Sequence, residues 1–496
     1  MKAVAWAMTA VALLSSGCAV GPDFHAPPAP GVNRYLRDGN PAQSTSADGV
    51  AQRFTAATVP ADWWHALGSP ALDQAMEVAI TANPSLQQAE ANLRAAQDLL
   101  RAGAGVFYPQ VAGSADVSRQ AAVPARLGQT GAPSLFTLWT LGASISYAVD
   151  IFGGNRRAVE ALAAQAEEQR YVVAAAYLTL TGNLVNAVIA HAAYRAEIDT
   201  TCSLITVVRE QVEIAHAQVE AGVMAHASEL SLVAQLTSLE ASLPPLEQKR
   251  DQAAHLQAVL AGQFPSEAGP VAVALNGLQL PADLPRLVPS ELVRQRPDVL
   301  AAQARLHQAS AEVGVATAAM LPSLTLSADY ARMSGRSADL FGTNAGAWSV
   351  GANLVAPLFE GGALYFRRSA SRQALQAADA GYRQVVLSSF EQVADVLRAL
   401  EHDAAQLDAQ LRTQTAASAA LEEINANYRA GVANYLQVLS ADLQYQQAVL
   451  GTLQVRAQRL QDTVALFVAL GGGWRSTSIG QPVAGTHNAD PGNDDR

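Results

Sequence analysis

Cysteine is almost absent. Cys18 and Cys202 are the two in 496 residues, which excludes a disulfide scaffold and a cysteine-rich metal site. Charge is sparse, at 15% of residues, and basic charge is sparser: 32 Lys and Arg against 43 Asp and Glu leave a net −11. A nucleic-acid partner demands clustered cations, so none is expected. Aromatics stop at 6%, yet half the chain is hydrophobic, unlike a disordered polypeptide. Proline is missing between Pro133 and Pro244 and again between Pro357 and Pro482, which leaves room for uninterrupted helices. The patterns HExxH, GxSxG, GxxxxGK and GxGxxG do not occur. The chain is therefore read as a non-enzyme with no metal and no organic cofactor.

Residues 1–17 have the form of an export signal. Met1-Lys2 precedes an apolar run from Ala3 to Leu14, and small residues lead to Cys18. Such a run is too short to span a hydrocarbon layer of ~30 Å. Gly17-Cys18 resembles a bacterial lipoprotein signal, so a covalent lipid on Cys18 is expected. Ala19, rather than Asp, favours the outer membrane over the inner one. Residues 18–60 are rich in Pro, Ala and Ser and read as a lipid-anchored, extended linker. Residues 475–496 read as a flexible tail.

Self-similarity sets the organisation. Asn83-Pro84-Ser85-Leu86 returns as Arg296-Pro297-Asp298-Val299, and Phe107-Tyr108-Pro109 as Met320-Leu321-Pro322. Phe152-Gly153-Gly154 returns near Glu360-Gly361-Gly362, Ala221-Gly222-Val223 as Ala430-Gly431-Val432, and Leu260-Ala261-Gly262 as Leu470-Gly471-Gly472. All offsets lie between 207 and 213 residues, so the chain holds two copies of one large unit. The first repeat is placed at 61–280: a helix, strands 107–119 and 138–150, then helices 156–220 and 225–262. The second is placed at 281–474: a helix, strands 321–332 and 347–359, then helices 363–430 and 435–471.

The strands rest on alternation. Val111, Gly113, Ala115 and Val117 alternate with Ser114, Asp116 and Ser118; Trp139 to Tyr147, Leu324 to Tyr330 and Trp348 to Leu354 repeat the pattern. One face meets an apolar medium and the other water, over lengths that suit tilted bilayer crossings. Trp139, Tyr147, Tyr330 and Trp348 are read as a membrane girdle near strand ends. A soluble antiparallel sheet with one wet face gives the same alternation. The helices rest on a 3-4 apolar spacing: Ile198, Thr201, Ile205, Val208, and Val386, Phe390, Val393, Leu397, Leu400. The charge-free stretch between Arg170 and Arg195 imitates a membrane helix. Its repeat partner carries Arg383, Glu391 and Asp395, so both are read as water-side helices.

Four membrane strands cannot close a ring, and an open edge in lipid leaves backbone groups unpaired. Closure must be shared, and three chains give 3 × 4 = 12 strands. Gly222 and Gly431 interrupt the long helical runs and are read as helix–turn–helix tips.

Several motifs carry a resemblance: Cys18-Ala19-Val20-Gly21-Pro22-Asp23-Phe24, Asp62-Trp63-Trp64, Asn83-Pro84-Ser85-Leu86, Arg294-Gln295-Arg296-Pro297-Asp298-Val299, Leu358-Phe359-Glu360-Gly361-Gly362 and Leu470-Gly471-Gly472-Gly473-Trp474. In this order, over roughly 18–474, the chain resembles the TolC-like outer-membrane efflux proteins, in the lipoprotein (nodulation-T type) branch that serves resistance-nodulation-division pumps. The resemblance implies an α+β membrane protein and a homotrimer, with a shared 12-stranded barrel in the outer membrane continued by a periplasmic α-helical barrel. It implies passive conduction of drugs, solvents or metal ions from an inner-membrane pump through a periplasmic adaptor. A type I protein-secretion duct is the alternative, and a structural envelope lipoprotein a further one.

By the same resemblance, the tips Gly222, Val223, Met224 and Gly431, Val432, Ala433 meet the adaptor. The family's acidic aperture positions fall here on neutral Ser228, Gln437 and Ser440, while Tyr428 keeps an aromatic at the tip. A gate held by neutral hydrogen bonds and Tyr428 packing is expected to depend little on pH or divalent cations. His216 and His226 are expected to stand exposed and uninvolved, and Cys202 to be a small buried residue.

Overall fold

The computed structural model describes residues 19–123, 130–286 and 288–474. Cys18 and residues 475–496 lie outside them, and so do the lipid and tail expectations. The helices are α1 (Pro70–Ala82), α2 (Pro84–Ala104), α3 (Gly154–Glu220), α4 (His226–Leu260), α5 (Pro289–Gln295), α6 (Pro297–Ala318), α7 (Ala363–Arg429) and α8 (Tyr435–Ala469). The strands are β1 (Arg53–Thr55), β2 (Gln110–Ala122), β3 (Ser134–Val149), β4 (Asp283–Pro285), β5 (Ser323–Ser334) and β6 (Gly346–Val355). The chain divides into two compact units. One comprises residues up to Pro27 with 93–169 and 302–382, the other 28–92, 170–301 and 383 onward.

The first unit holds the large sheet, ordered β2-β3-β5-β6 and antiparallel throughout. A strap from Ala19 to Phe24 is bound within it. Val20 N–H donates to Phe152 O at 3.0 Å, and the covered Arg157 guanidinium donates to Val20 O, Asp23 and Glu160. Glu160 also bonds the His307 ring at 2.9 Å, on which Phe24 stacks at 4.3 Å. The Asp23 carboxyl is held below its ordinary pKa by Arg157. Gly21 has φ +98°, and a Cβ there would overlap Gly314, so the strap's approach to α6 requires glycine.

The second unit is built from helix rows whose 3-4 apolar positions are buried. Ile198, Thr201, Ile205 and Val208 are buried on α3, and Val393, Leu397, Leu400 and Ala404 on α7. The charge-free part of α3 is long and apolar enough to cross a membrane by composition. Here it is core: Val173, Leu184, Val185, Val188 and Ile189 are buried. Helix α4 runs without a break through Pro244 and Pro245.

The repeat landmarks perform one job twice in this unit. Asn83 accepts from Leu86 N–H, capping α2, and donates to Leu260 O at the end of α4. Arg296, one repeat later, precedes α6 and donates to Ala469 O at the end of α8, while Asp298 neutralises it. In both copies the residue that precedes a helix satisfies a carbonyl left open at the end of a later one, α4 or α8. Gly262 (φ +70°) sits against Ala82, and Gly471 (φ +94°) against Gln295, so the close passage repeats as well.

Residues 28–60 correct the linker reading. Arg459 of α8 is 1% exposed and donates to Ser44 Oγ, Ala47 O, Val50 O and Gln52 Oε1. Gln52, wholly buried, donates on to Thr463. Beyond it β1 pairs in parallel with β4. A buried guanidinium demands acceptors, and this segment supplies them. No local periodicity announces that demand, since donor and acceptors lie about 400 residues apart.

Candidate functional site

The large sheet sorts its side chains by register. Cross-strand partners share a face. The pairs Val111↔Ile145, Ala115↔Leu141 and Val117↔Trp139 join β2 to β3. Ile145↔Ala328, Ala143↔Tyr330 and Tyr147↔Leu326 join β3 to β5. Leu324↔Leu354, Ala328↔Val350 and Tyr330↔Trp348 join β5 to β6. One face is therefore apolar across all four strands. The other gathers Ser114, Asp116, Ser144, Ser146, Thr325, Ser327, Asp329, Ser349 and Asn353. Within the chain neither face is covered: Val111 is 71% exposed, Trp348 77% and Val350 73%. Nor do β2 and β6 have outer partners among the described residues. Among the described residues the sheet thus presents an uncovered apolar face and two unpaired edges.

The girdle candidates all lie on the apolar face, but not all at strand ends. Strand β3 continues five residues past Trp139 to Ser134. Tyr330 and Trp348 face each other at the level of Ala143, between Tyr147 and Trp139. The reason is legible in β3: Phe136 and Leu138 occupy the polar face, so alternation fades before the strand does.

The two tips share one backbone design. Gly222 has φ +73° and Gly431 φ +74°. At the first, Gly222 N–H donates to Val219 O, and the Val223 and Met224 amides donate to Gln218 O. At the second, Gly431 N–H donates to Tyr428 O, and the Val432 and Ala433 amides to Asn427 O. These bonds use carbonyls that a helix end leaves open, and the left-handed turn requires glycine. Val223 and Val432 project at 75% and 78% exposure.

The side chains around the tips differ. At the second tip Asn434 and Gln437 cap α8 reciprocally at 3.0 Å, and Ser440 Oγ donates to Leu436 O. Gln437 and Ser440 line a groove of about 510 Å³ with Ile424, Asn427 and Leu436. Tyr428 packs on Tyr435 at 5.4 Å, and the Tyr435 hydroxyl donates to Glu210 of α3 at 2.7 Å. That bond raises the Tyr435 hydroxyl pKa. Ser228 is exposed on the first tip.

His216 and His226 are not uninvolved. Both rings bond Glu229, at 2.8 and 3.0 Å, tying α3 to α4. Glu229, with Glu220 nearby, raises the His216 pKa, and the two histidines lower that of Glu229. The turn folds α4 back so that Glu229 lies between the rings, an effect no helical spacing within α3 displays. No group of metal-ligating geometry occurs among the described residues. Cys202 is exposed, because the buried row of α3 passes through Thr201 and Ile205 instead.

A family model described as outer membrane efflux protein matches residues 75–262 and 288–472. The pyoverdine export outer membrane protein OpmQ of Pseudomonas aeruginosa is 32% identical over 430 residues, covering 84% of this chain and 88% of its own. The antibiotic efflux pump outer membrane protein ArpC of Pseudomonas putida is 27% identical, covering 94% and 95%. Among solved structures, the outer-membrane channel OprN aligns with a TM-score of 0.81 at 28% identity, covering 92% of this chain and 100% of that one.

Proposed function

Because the chain belongs to the outer membrane efflux protein family, we propose that three copies close one barrel of 3 × 4 = 12 strands around a wet lumen, completing the four-stranded sheet found in each. The protein is an outer-membrane duct of an efflux pump, conducting small toxic compounds passively to the exterior, and it is not an enzyme.

The observation that carries the trimer is the sheet with one apolar face, one polar face and two open edges. In hydrocarbon each unpaired edge group costs several kcal/mol, so the edges must pair. Two chains give eight strands and a filled interior; three give a lumen wide enough for water. The polar face then lines the lumen and the girdle residues meet lipid. All four strands continue into helices at one end and into hairpins at the other. The helices occupy the periplasm and the hairpins face outward.

The tips at Gly222 and Gly431 present Val223 and Val432 to a periplasmic adaptor, which links the duct to an inner-membrane resistance-nodulation-division pump. Ser228, Tyr428, Gln437 and Ser440 ring the periplasmic aperture. A covalent lipid on Cys18, the residue that precedes Ala19–Phe24 in sequence, is part of this reading. No cofactor takes part.

The test joins structure to conduction. Paired cysteines placed along the β2 and β6 edges should cross-link into a ladder that ends at three chains. The same preparation should conduct in planar bilayers. A ladder ending at two, or a lone chain that conducts, removes the trimer.

A further inference from the structure

We propose that the hairpin-end rim of the apolar sheet face binds the phosphates of a bisphosphorylated glycolipid in the outer leaflet, through Arg119 and Arg332. The inference rests on the membrane reading above.

Among the described residues the register puts two charged side chains on the apolar face, and both are arginines. Arg119 of β2 stands opposite Thr137, and Arg332 of β5 opposite Leu141 and Gly346. The sheet's acids, Asp116 and Asp329, lie on the other face, opposite Thr140 and Ser144. Both arginines sit toward the hairpins and flank Trp139 on β3. In a chain of net charge −11, a lipid-facing surface with two cations and no anion is not what composition predicts.

The energetics restrict where such residues can stand. Arginine on the lipid face is costly at the bilayer midplane and nearly free near the interface. Arg119, level with Thr137 beyond Trp139, belongs at headgroup depth; Arg332, level with Leu141 just inside Trp139, reaches that depth by extending its long side chain toward the hairpin. Arg332 is already aimed: its Nε donates to Leu340 O at 2.8 Å and its Nη2 to Gly342 O at 2.6 Å, with Phe341 5.8 Å away. Two of its five N–H groups are used, and three stay free to donate. Arg119 is exposed and forms no ion pair among the described residues. A guanidinium fork matches a phosphate in two parallel bonds, which favours phosphate over water.

Spacing selects the headgroup. Two strand steps of ~4.8 Å and four residues of ~3.4 Å separate the two Cα positions by roughly 17 Å. Long side chains narrow that gap between their tips. The separation suits a wide headgroup bearing two phosphates better than a phospholipid bearing one.

Native mass spectrometry of the full-length assembly in detergent tests this. The probes are bisphosphorylated lipid A, its dephosphorylated form, phosphatidylglycerol and inorganic phosphate. The wild-type assembly should retain bisphosphorylated lipid A. Arg119→Gln should weaken retention about tenfold, and Arg119→Lys, which keeps charge without the fork, should fall between. The dephosphorylated form, phosphatidylglycerol and inorganic phosphate should bind weakly. Unchanged retention by a folded Arg119→Gln assembly overturns the proposal, and so does equal retention of the dephosphorylated form or of phosphatidylglycerol. Conductance of wild-type protein in bilayers without glycolipid reports separately on the membrane reading. A conducting pore with no phosphate preference removes this inference alone, whereas absence of any pore removes the reading beneath it.

Discussion

Arginine at Ala143 and arginine at Ser144 should have opposite fates, although the positions are neighbours on one strand. Ala143 lies on the apolar face of β3, four residues from Tyr147 and four from Trp139, opposite Tyr330. At ~3.4 Å per residue and a tilt near 40°, each aromatic stands about 10 Å away along the membrane normal. Ala143 is thus near mid-depth, where arginine costs about 2–4 kcal/mol. That corresponds to roughly a 30- to 900-fold loss in the folding equilibrium. Ser144 lies on the polar face, opposite Asp329. An arginine there gains a cross-strand ion pair of about 0.2–1 kcal/mol. Urea unfolding in lipid bilayers, read by resistance to SDS, measures both. In a soluble sheet, a substitution at an exposed position such as Ala143 stays within about 0.5 kcal/mol. Equal responses at the two positions, or a harmless Ala143→Arg, would refute the assignment of faces.

Other expectations follow from the helical unit and the strap. Burial and the Asp462 carboxyl push Asp403 up to about 7. Between its ordinary value and pH 7 the folded chain keeps a proton that the unfolded chain has lost, so stability falls as pH rises through that window. Asp403→Asn should flatten the fall, as seen by denaturant midpoints across pH. His216 should titrate above an ordinary histidine by NMR, because Glu229 and Glu220 favour its cation. Its contribution to tip order is then full at acid pH and lost as pH rises through the raised value, and Glu229→Gln should lower that value toward normal while Glu220 still holds it up. Gly222→Ala and Gly431→Ala should each cost about 1–2 kcal/mol in thermal unfolding, since φ near +73° strains any Cβ. Gly21→Ala should loosen the strap, detected as faster proteolysis near Phe24, because the added methyl meets Gly314.

Much of the architecture is readable along the chain. Alternation in Leu324–Tyr330 and the 3-4 spacing in Val386–Leu400 are local consequences of strand and helix geometry. The observed β5, α7 and α8 fall within a few residues of those patterns. Alternation also sorts apolar from polar residues before any pairing is known. The tip glycines are equally legible, since a left-handed turn needs glycine whatever surrounds it. Less legible was everything made by distant partners. Arg459 carries no local signal of burial, yet Ser44, Ala47, Val50 and Gln52 enclose it. His216 and His226 read as idle until the turn brings Glu229 between them.

The sequence by itself determined the elements, the repeat and the two-faced character of each strand, because these depend on periods of 2 and 3.6 residues and on backbone freedom at single positions. Tertiary structure alone decided the register that joins four apolar stripes into one face and sets Arg119 and Arg332 upon it. It also decided that residues 44–52 form a cage rather than a tether. Hydrogen-bond partners hundreds of residues apart leave no mark on local periodicity, so only the folded chain reveals them.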